Sequence, residues 1–228
     1  MVKILLLGSS GVGKTVFFNQ FKTWLSADVW LDYRAMPSTA DFCVKTCSMD
    51  GVDVKVALWD TPSCPRIPLS AAYHRSIPGY AIMFDVTNRD SFEDVETRWF
   101  PQVVQHWDFT RHGGRHGDIN TLVLVGIRQD LTTERSRVVA TSEAQNLANK
   151  MEQRINETDV DATQHQRVRY LEANPATGHG VYRVAATLVK PKLNHHLTLQ
   201  NGGDLLQDEL LQDIPSVTMK GDTRCDVM

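Results

Sequence analysis

Apolar residues follow two rhythms along this chain. Six short runs, at 2–7, 42–49, 54–59, 80–85, 121–125 and 168–171, are continuously apolar or alternate in period two. Their length and β-branched content predict strands, the continuous ones buried on both faces. Elsewhere apolar residues return every three or four positions, as on one face of a helix. One such stretch covers 15–25. In a second, Phe92, Val95 and Trp99 follow Ser91, read as the cap, with Asp94 completing a capping box. In a third, Ala144, Leu147, Ala148, Met151 and Ile155 follow a cap at Ser142. Val181, Val184, Ala185, Leu188 and Val189 form the last stripe, which Pro191 should end. Strands alternating with helices predict an α/β fold with a largely parallel sheet. Asp50-Gly51 is a hairpin signal, so the second and third strands should be antiparallel.

Two polar insertions interrupt the pattern, at 111–118 and 152–166, and read as solvated loops or helix extensions. His106, His112 and His116 read as surface-loop residues rather than a metal cluster. From Leu197 the composition turns to Gln, Gly, Asp and Leu. This divides the chain into a domain at 1–196 and a flexible tail at 197–228.

The chain has 228 residues, 42% hydrophobic, which is enough for one medium domain with a sizeable core. A net charge of −3 argues against nucleic acid as a partner. No run approaches the roughly 18 apolar residues of a membrane span. The first strand begins at Val2, which leaves no room for a cleaved signal. Cys43, Cys47, Cys64 and Cys225 have neither zinc-site nor disulfide-framework spacing, and a reducing compartment follows. Cys43 and Cys47 share one face of a strand and read as core.

Gly8-Ser9-Ser10-Gly11-Val12-Gly13-Lys14-Thr15 follows the first strand and opens the first helix. This is G-x-x-x-x-G-K-[ST], a phosphate-binding P-loop in its proper context. Gly8, Ser10, Gly11, Val12 and Gly13 would turn backbone N–H groups onto phosphate oxygens. The helix N-terminus adds a positive field. Lys14 brings a point charge and Thr15 a hydroxyl for Mg²⁺.

Further motifs appear in a fixed order. They are Asp41-Phe42, Asp50-Gly51, Leu58-Trp59-Asp60-Thr61, Tyr73-His74-Arg75, the run from Phe84 to Phe92, Val125-Gly126 with Asp130-Leu131, and Thr177-Gly178-His179-Gly180-Val181. With the P-loop, the chain resembles the Ras superfamily of small GTPases, most closely its Rab branch, over about 2–193. The resemblance implies a six-stranded, mostly parallel mixed sheet with helices on both faces. It implies GTP or GDP with Mg²⁺, the metal held by Thr15 and Asp60, the base read by Arg128 and Asp130. Phe42, Trp59 and Tyr73 match the aromatic trio that Rab proteins present to effectors. Cys225-Asp226-Val227-Met228 resembles a C-a-a-X box, implying a farnesyl group on Cys225 and a cytoplasmic membrane face. The alternative is an accidental C-terminal cysteine. A monomer acting through protein effectors and regulators is expected.

The departures are informative. The glycine facing the γ-phosphate is Ser63, and the glutamine that orients the attacking water is Cys64. Pro62 and Pro65 stiffen the same loop. Pro37 stands where a Thr should reach Mg²⁺, with Ser38 or Thr39 as the substitute after a register shift. Asn-Lys-x-Asp appears as Ile127-Arg128-Gln129-Asp130, and the Ser-Ala-Lys near the base as Asn174-Pro175-Ala176. Slow hydrolysis and weakened guanine binding follow. The competing reading is a pseudo-GTPase scaffold with permanent or no nucleotide. A small P-loop ATP enzyme is disfavoured, because no catalytic acid set accompanies the loop.

Overall fold

The computed structural model describes residues 1–23, 41–49, 52–61, 77, 79–113, 121–128, 137–158 and 167–200. The strands are β1 (Val2–Gly8), β2 (Asp41–Met49), β3 (Val52–Asp60), β4 (Gly79–Asp85), β5 (Thr121–Ile127) and β6 (Val168–Ala173). They form one sheet in the order β2-β3-β1-β4-β5-β6. Every neighbouring pair is parallel except β2 and β3, which run antiparallel with Met49 opposite Val52. That register is the one Asp50-Gly51 predicts, although the turn itself lies outside the described residues.

Helices cover both faces. Ile4 and Leu6 of β1 face one core with Phe17, Phe18 and Phe21 of α1 (Lys14–Thr23). Val181, Val184 and Leu188 of the last helix complete it. Leu5 and Leu7 face the other core, with Phe92, Val95, Trp99 and Val103 and the 144–155 stripe. Alternation of side chains along a strand thus gives one strand two cores. Cys43 and Cys47 lie buried in the first, as expected, and burial raises the pKa of both thiols, Cys43 to about 11. Lys45 between them is also buried. Its ammonium donates to the carbonyl of Lys22, so a lysine on β2 caps the C-terminal end of α1.

Three helix boundaries differ from expectation. The second helix, α2 (Arg89–Asp94), is capped by Asn88, whose side chain accepts from the N–H of Ser91. Ser91 is buried inside the helix, accepting from the N–H of Asp85 and donating to the carbonyl of Asn88. Asp94 is therefore free of the capping box and bonds elsewhere. A π-helical turn, Val95–Trp99, follows, with the N–H of Phe100 bonded to the carbonyl of Val95 five residues back. It leads into α3 (Phe100–Gly113). Pro101 accounts for the widened turn, since its ring has no N–H and would press on the carbonyl four residues before it.

Helix α4 (Thr141–Thr158) starts one residue before Ser142. Ala140 occupies the cap, and Glu143 accepts its backbone N–H, half of a capping box without the hydroxyl. Helix α5 (Val181–Gln200) runs through Pro191 instead of ending there. Leu188, Val189 and Leu193 are buried on either side of the proline, so packing carries the helix through the lost hydrogen bond. The starts of both insertions are helical, since α3 reaches Gly113 and α4 reaches Thr158. No helix among the described residues is long and apolar enough to cross a membrane.

Candidate functional site

The sheet places its ligand crevice where chain order reverses. From β1 the chain goes to β3 on one side and then to β4 on the other. The loop after β1 sits at the carboxyl end of that central strand, where open α/β sheets bind ligands. Gly8 has φ +145°, and a Cβ there would lie 2.3 Å from the carbonyl oxygen of Met83 on β4. Gly13 has φ +101°, with Ile127 packed close. Side chains are excluded at both positions, so the backbone can curl between β4 and β5. Ser10 and Gly11 are exposed at the loop's tip, and Val12 is buried beneath it.

Lys14 opens α1 and is almost fully buried. Its ammonium donates to the carbonyls of Gly8 (2.6 Å) and Ser9 (2.9 Å). Burial lowers its pKa to about 8; Asp60 opposes the shift and Arg98 adds to it. A phosphate at the loop would favour the charged form of this ammonium. Thr15 Oγ1 donates to Asp60 Oδ2 at 2.7 Å, across 45 residues of sequence. A hydroxyl and a carboxylate converging at the phosphate loop are the hard oxygen donors that suit Mg²⁺. The end of β3 is pinned beside them, where Thr61 Oγ1 donates to the carbonyl of Leu6 at 2.6 Å.

A second set of contacts, not visible in the sequence, anchors the loop from behind. Ser9 Oγ donates to Asp94 and accepts from Trp99 Nε1 at 3.1 Å. Arg98 lies over the Trp99 ring, 4.2 Å from its centroid. The π-helical turn and the residue before it thus hold Ser9 from two sides, through Trp99 and Asp94. Trp99 reads from sequence as core, which it also is; its partner is 90 positions away.

The base end has a different chemistry. Ile127 is fully buried against Gly13, and its side chain offers no hydrogen bond. The guanidinium of Arg128 lies 3.6 Å from Glu172 on β6. Glu172 also takes both oxygens to Arg137 at 2.8 Å and accepts from Tyr170 (2.7 Å) and Thr141 (3.1 Å). Burial pushes the Glu172 carboxyl up, but hydrogen bonds from Tyr170 and Arg137 outweigh it and hold the pKa below the usual value. Asn174 is buried, and its Oδ1 accepts from the N–H groups of Ala176 (3.0 Å) and Thr177 (3.2 Å). This Asx turn was legible in Asn174-Pro175, a turn-initiating pair. Asp130 lies outside the described residues, as do Pro37, Ser63, Cys64, Tyr73 and Cys225.

Phe42 and Trp59 face each other across the antiparallel register and stack, centroids 4.8 Å apart and planes at 18°. Both are half-buried, Phe42 on the edge strand β2 and Trp59 on its neighbour β3.

Known proteins give the same picture. The Ras family model matches residues 3–176. The Ras-related protein Rab-19 of Xenopus laevis is 30% identical over 192 residues, covering 83% of this chain and 76% of that protein. The Ras-related protein RABE1e of Arabidopsis thaliana is 30% identical over 166 residues, 72% of this chain and 69% of its own. The GTP-binding protein YPTM2 of Zea mays is 32% identical over 152 residues, 66% and 67% respectively. A phosphate loop on the central strand, a Thr–Asp pair placed for a divalent cation, and a family match across three quarters of the chain place this protein in the Ras family, as a Rab-like small GTPase.

Proposed function

We propose that this protein binds GTP and GDP with Mg²⁺ and acts as a slow, Rab-like switch in membrane traffic. The observation that carries this reading is the Thr15–Asp60 hydrogen bond beside the Gly8–Lys14 loop. Backbone N–H groups of residues 10–15 and the Lys14 ammonium hold the phosphates. Thr15 and Asp60 hold the cation, which when bound neutralises charge on the outer phosphate oxygens. Asp130 and Arg128 are assigned to the base. Phe42, Trp59 and Tyr73 form the effector-facing aromatics, two of them already stacked. A prenyl group on Cys225 would bring the chain to a membrane; one lipid gives only marginal binding.

Slow turnover follows from the sequence of the switch loop. A thiol at Cys64 is shorter than an amide and a weak hydrogen-bonding group, so it positions water poorly. Ser63 and Pro37 remove two further contacts to the γ-phosphate or its metal. The same substitutions favour a second reading, a scaffold that holds nucleotide permanently or not at all.

Titration of the purified chain with fluorescent GDP and GTP, with Mg²⁺ and then with EDTA, separates these readings. The switch reading expects micromolar or tighter binding that weakens when EDTA is added. Binding of neither nucleotide selects the scaffold. Restoring Pro37→Thr, Ser63→Gly and Cys64→Gln together should speed single-turnover hydrolysis beyond the sum of the single gains, because the three act as a unit. Wild-type hydrolysis as fast as that of an ordinary Rab, assayed side by side, would refute slow turnover.

A further inference from the structure

Backbone alternation along β6 decides what its outer edge offers. Among the described residues, β6 pairs with β5 alone and ends the sheet on that side. The carbonyl of Ala173 accepts from the N–H of Arg128, just past β5. Ala173, Leu171 and Arg169 therefore turn their backbone groups inward, and Val168, Tyr170 and Glu172 turn theirs outward. The N–H of Val168 is taken by Glu152 of α4 at 2.9 Å. The carbonyl of Glu172 is overhung by Gly180, where a Cβ would lie 2.4 Å away. Four outward groups then have no hydrogen-bond partner among the described residues: the Val168 carbonyl, the Tyr170 N–H and carbonyl, and the Glu172 N–H. Such an edge is a template for another strand.

The edge lies in a groove of about 460 Å³, lined by residues 167–171, by Gln145, Asn149 and Glu152 of α4, and by Arg183 of α5. Tyr170 packs on the α4 side of the sheet and Leu171 on the α5 side. Arg167 and Arg169 therefore share the face of Arg183. None of these three guanidiniums has an ion pair or hydrogen bond among the described residues. The groove's one carboxylate, Glu152, is already engaged by the Val168 N–H. We propose that this groove takes up an extended acidic segment of a partner protein as a seventh strand of the sheet. A parallel strand would satisfy all four open backbone groups through two of its residues, two positions apart. The side chains of those two residues would lie on the arginine face, so aspartate or glutamate at alternate positions is the complement. A second copy of this chain does not fit, because edge-to-edge pairing would set arginine against arginine.

The probe is a fluorescein-labelled peptide amide, Gly-Ser-Glu-Thr-Glu-Thr-Glu-Ser, titrated with the full chain and followed by anisotropy. Wild type should bind it in the micromolar to submillimolar range. Arg169→Glu with Arg183→Glu should weaken binding about tenfold or more, since two screened ion pairs become repulsions. Arg169→Gln with Arg183→Gln is the second pair if charge reversal lowers the melting temperature. The same peptide N-methylated at its glutamates keeps every charge but loses the N–H groups that reach β6, and should bind about tenfold weaker or more. At saturating peptide, amide exchange followed by NMR should slow several-fold at Tyr170 and Glu172. The Asn174 amide, already bonded to His179, should change little. Equal binding of the methylated peptide would reduce the groove to a charged surface and overturn the proposal. So would no peptide binding at millimolar concentration, or binding of phosphatidylcholine–phosphatidylserine vesicles in place of peptide.

Discussion

The two ends of the nucleotide crevice are built in opposite ways. At the phosphate end, polar groups converge from distant parts of the chain and point into one loop: Lys14 on its carbonyls, Thr15 on Asp60, Ser9 on Asp94 and Trp99. At the base end, polar groups satisfy one another. Glu172 absorbs Arg137, Tyr170, Thr141 and the approach of Arg128, and Asn174 absorbs the N–H groups of its own turn. The first end gathers its polar groups around the phosphate loop; the second ties them to one another away from it. A family member can thus keep its grip on phosphate while its reading of the base drifts.

The contrast can be broken most sharply at Lys14. Lys14→Ala should weaken GDP binding roughly 100-fold or more, about 3 kcal/mol for the charge-assisted bonds it makes to phosphate. The same change should not lower the melting temperature of the nucleotide-free protein at pH 7, since burial penalises the ammonium there. A parallel fall in both would show that Lys14 is structural.

Ser9→Ala tests the rear anchor. It leaves the Asp94 carboxylate and the Trp99 N–H without their shared hydroxyl, at a cost of about 1–3 kcal/mol. The expected result is a melting temperature lower by several degrees, roughly 2–6 °C for a domain of this size, with faster release of nucleotide in stopped-flow chase. An unchanged release rate would mean that the anchor does not set the loop's geometry.

Titration sharpens the comparison more gently. The folded pKa of Lys14, about 8, lies below its ordinary 10.5. Folding therefore disfavours the charged form, the penalty is complete below pH 8, and stability from this group rises as pH climbs from 8 to 10.5. Phosphate binding favours the charged form, so nucleotide should take up a fraction of a proton above pH 8. Calorimetry in buffers of different ionisation enthalpy would detect it; uptake of no proton at pH 8.5 would contradict the assignment. Glu172 carries the opposite sign. Its lowered pKa contributes stability above about pH 4.5 that is lost on further acidification.

Arg137→Ala should have the smallest effect. The pair with Glu172 is partly solvated and keeps three other partners, so the loss is about 1 kcal/mol or less. Hydrogen exchange should quicken at residues 172–179, while GDP affinity stays within about twofold.

These two ends also differed in how far the sequence reveals them. Eight contiguous residues spell the phosphate loop, and the unbroken apolar run before them marks a doubly buried strand, so both are readable locally. Asp60 needed only its Trp59-Asp60-Thr61 context. Ser9 with Trp99, and Glu172 with Arg137, join residues 90 and 35 apart; no local periodicity encodes either. Helix ends failed for the same reason. Ser91 has the composition of a cap, but Asn88 takes the role because Ser91 is needed inside, against Asp85. Pro191 has the composition of a stop, overridden by the buried residues around it.

The central place of β1 has a consequence during synthesis. This strand leaves the ribosome before both of its neighbours, β3 and β4, the second of which ends at Asp85. At about 5–20 residues per second, the apolar Ile4-Leu5-Leu6-Leu7 segment waits roughly 4–15 s for both partners to be made. During that interval it is an unpaired, sticky edge, and the nascent chain cannot yet be rescued by ligand, because the loop it carries has no Asp60 and no Met83 to close against. Chaperone capture of the chain up to Asp85, and aggregation when translation is slowed there, are the liabilities of making a doubly buried strand before either of its partners.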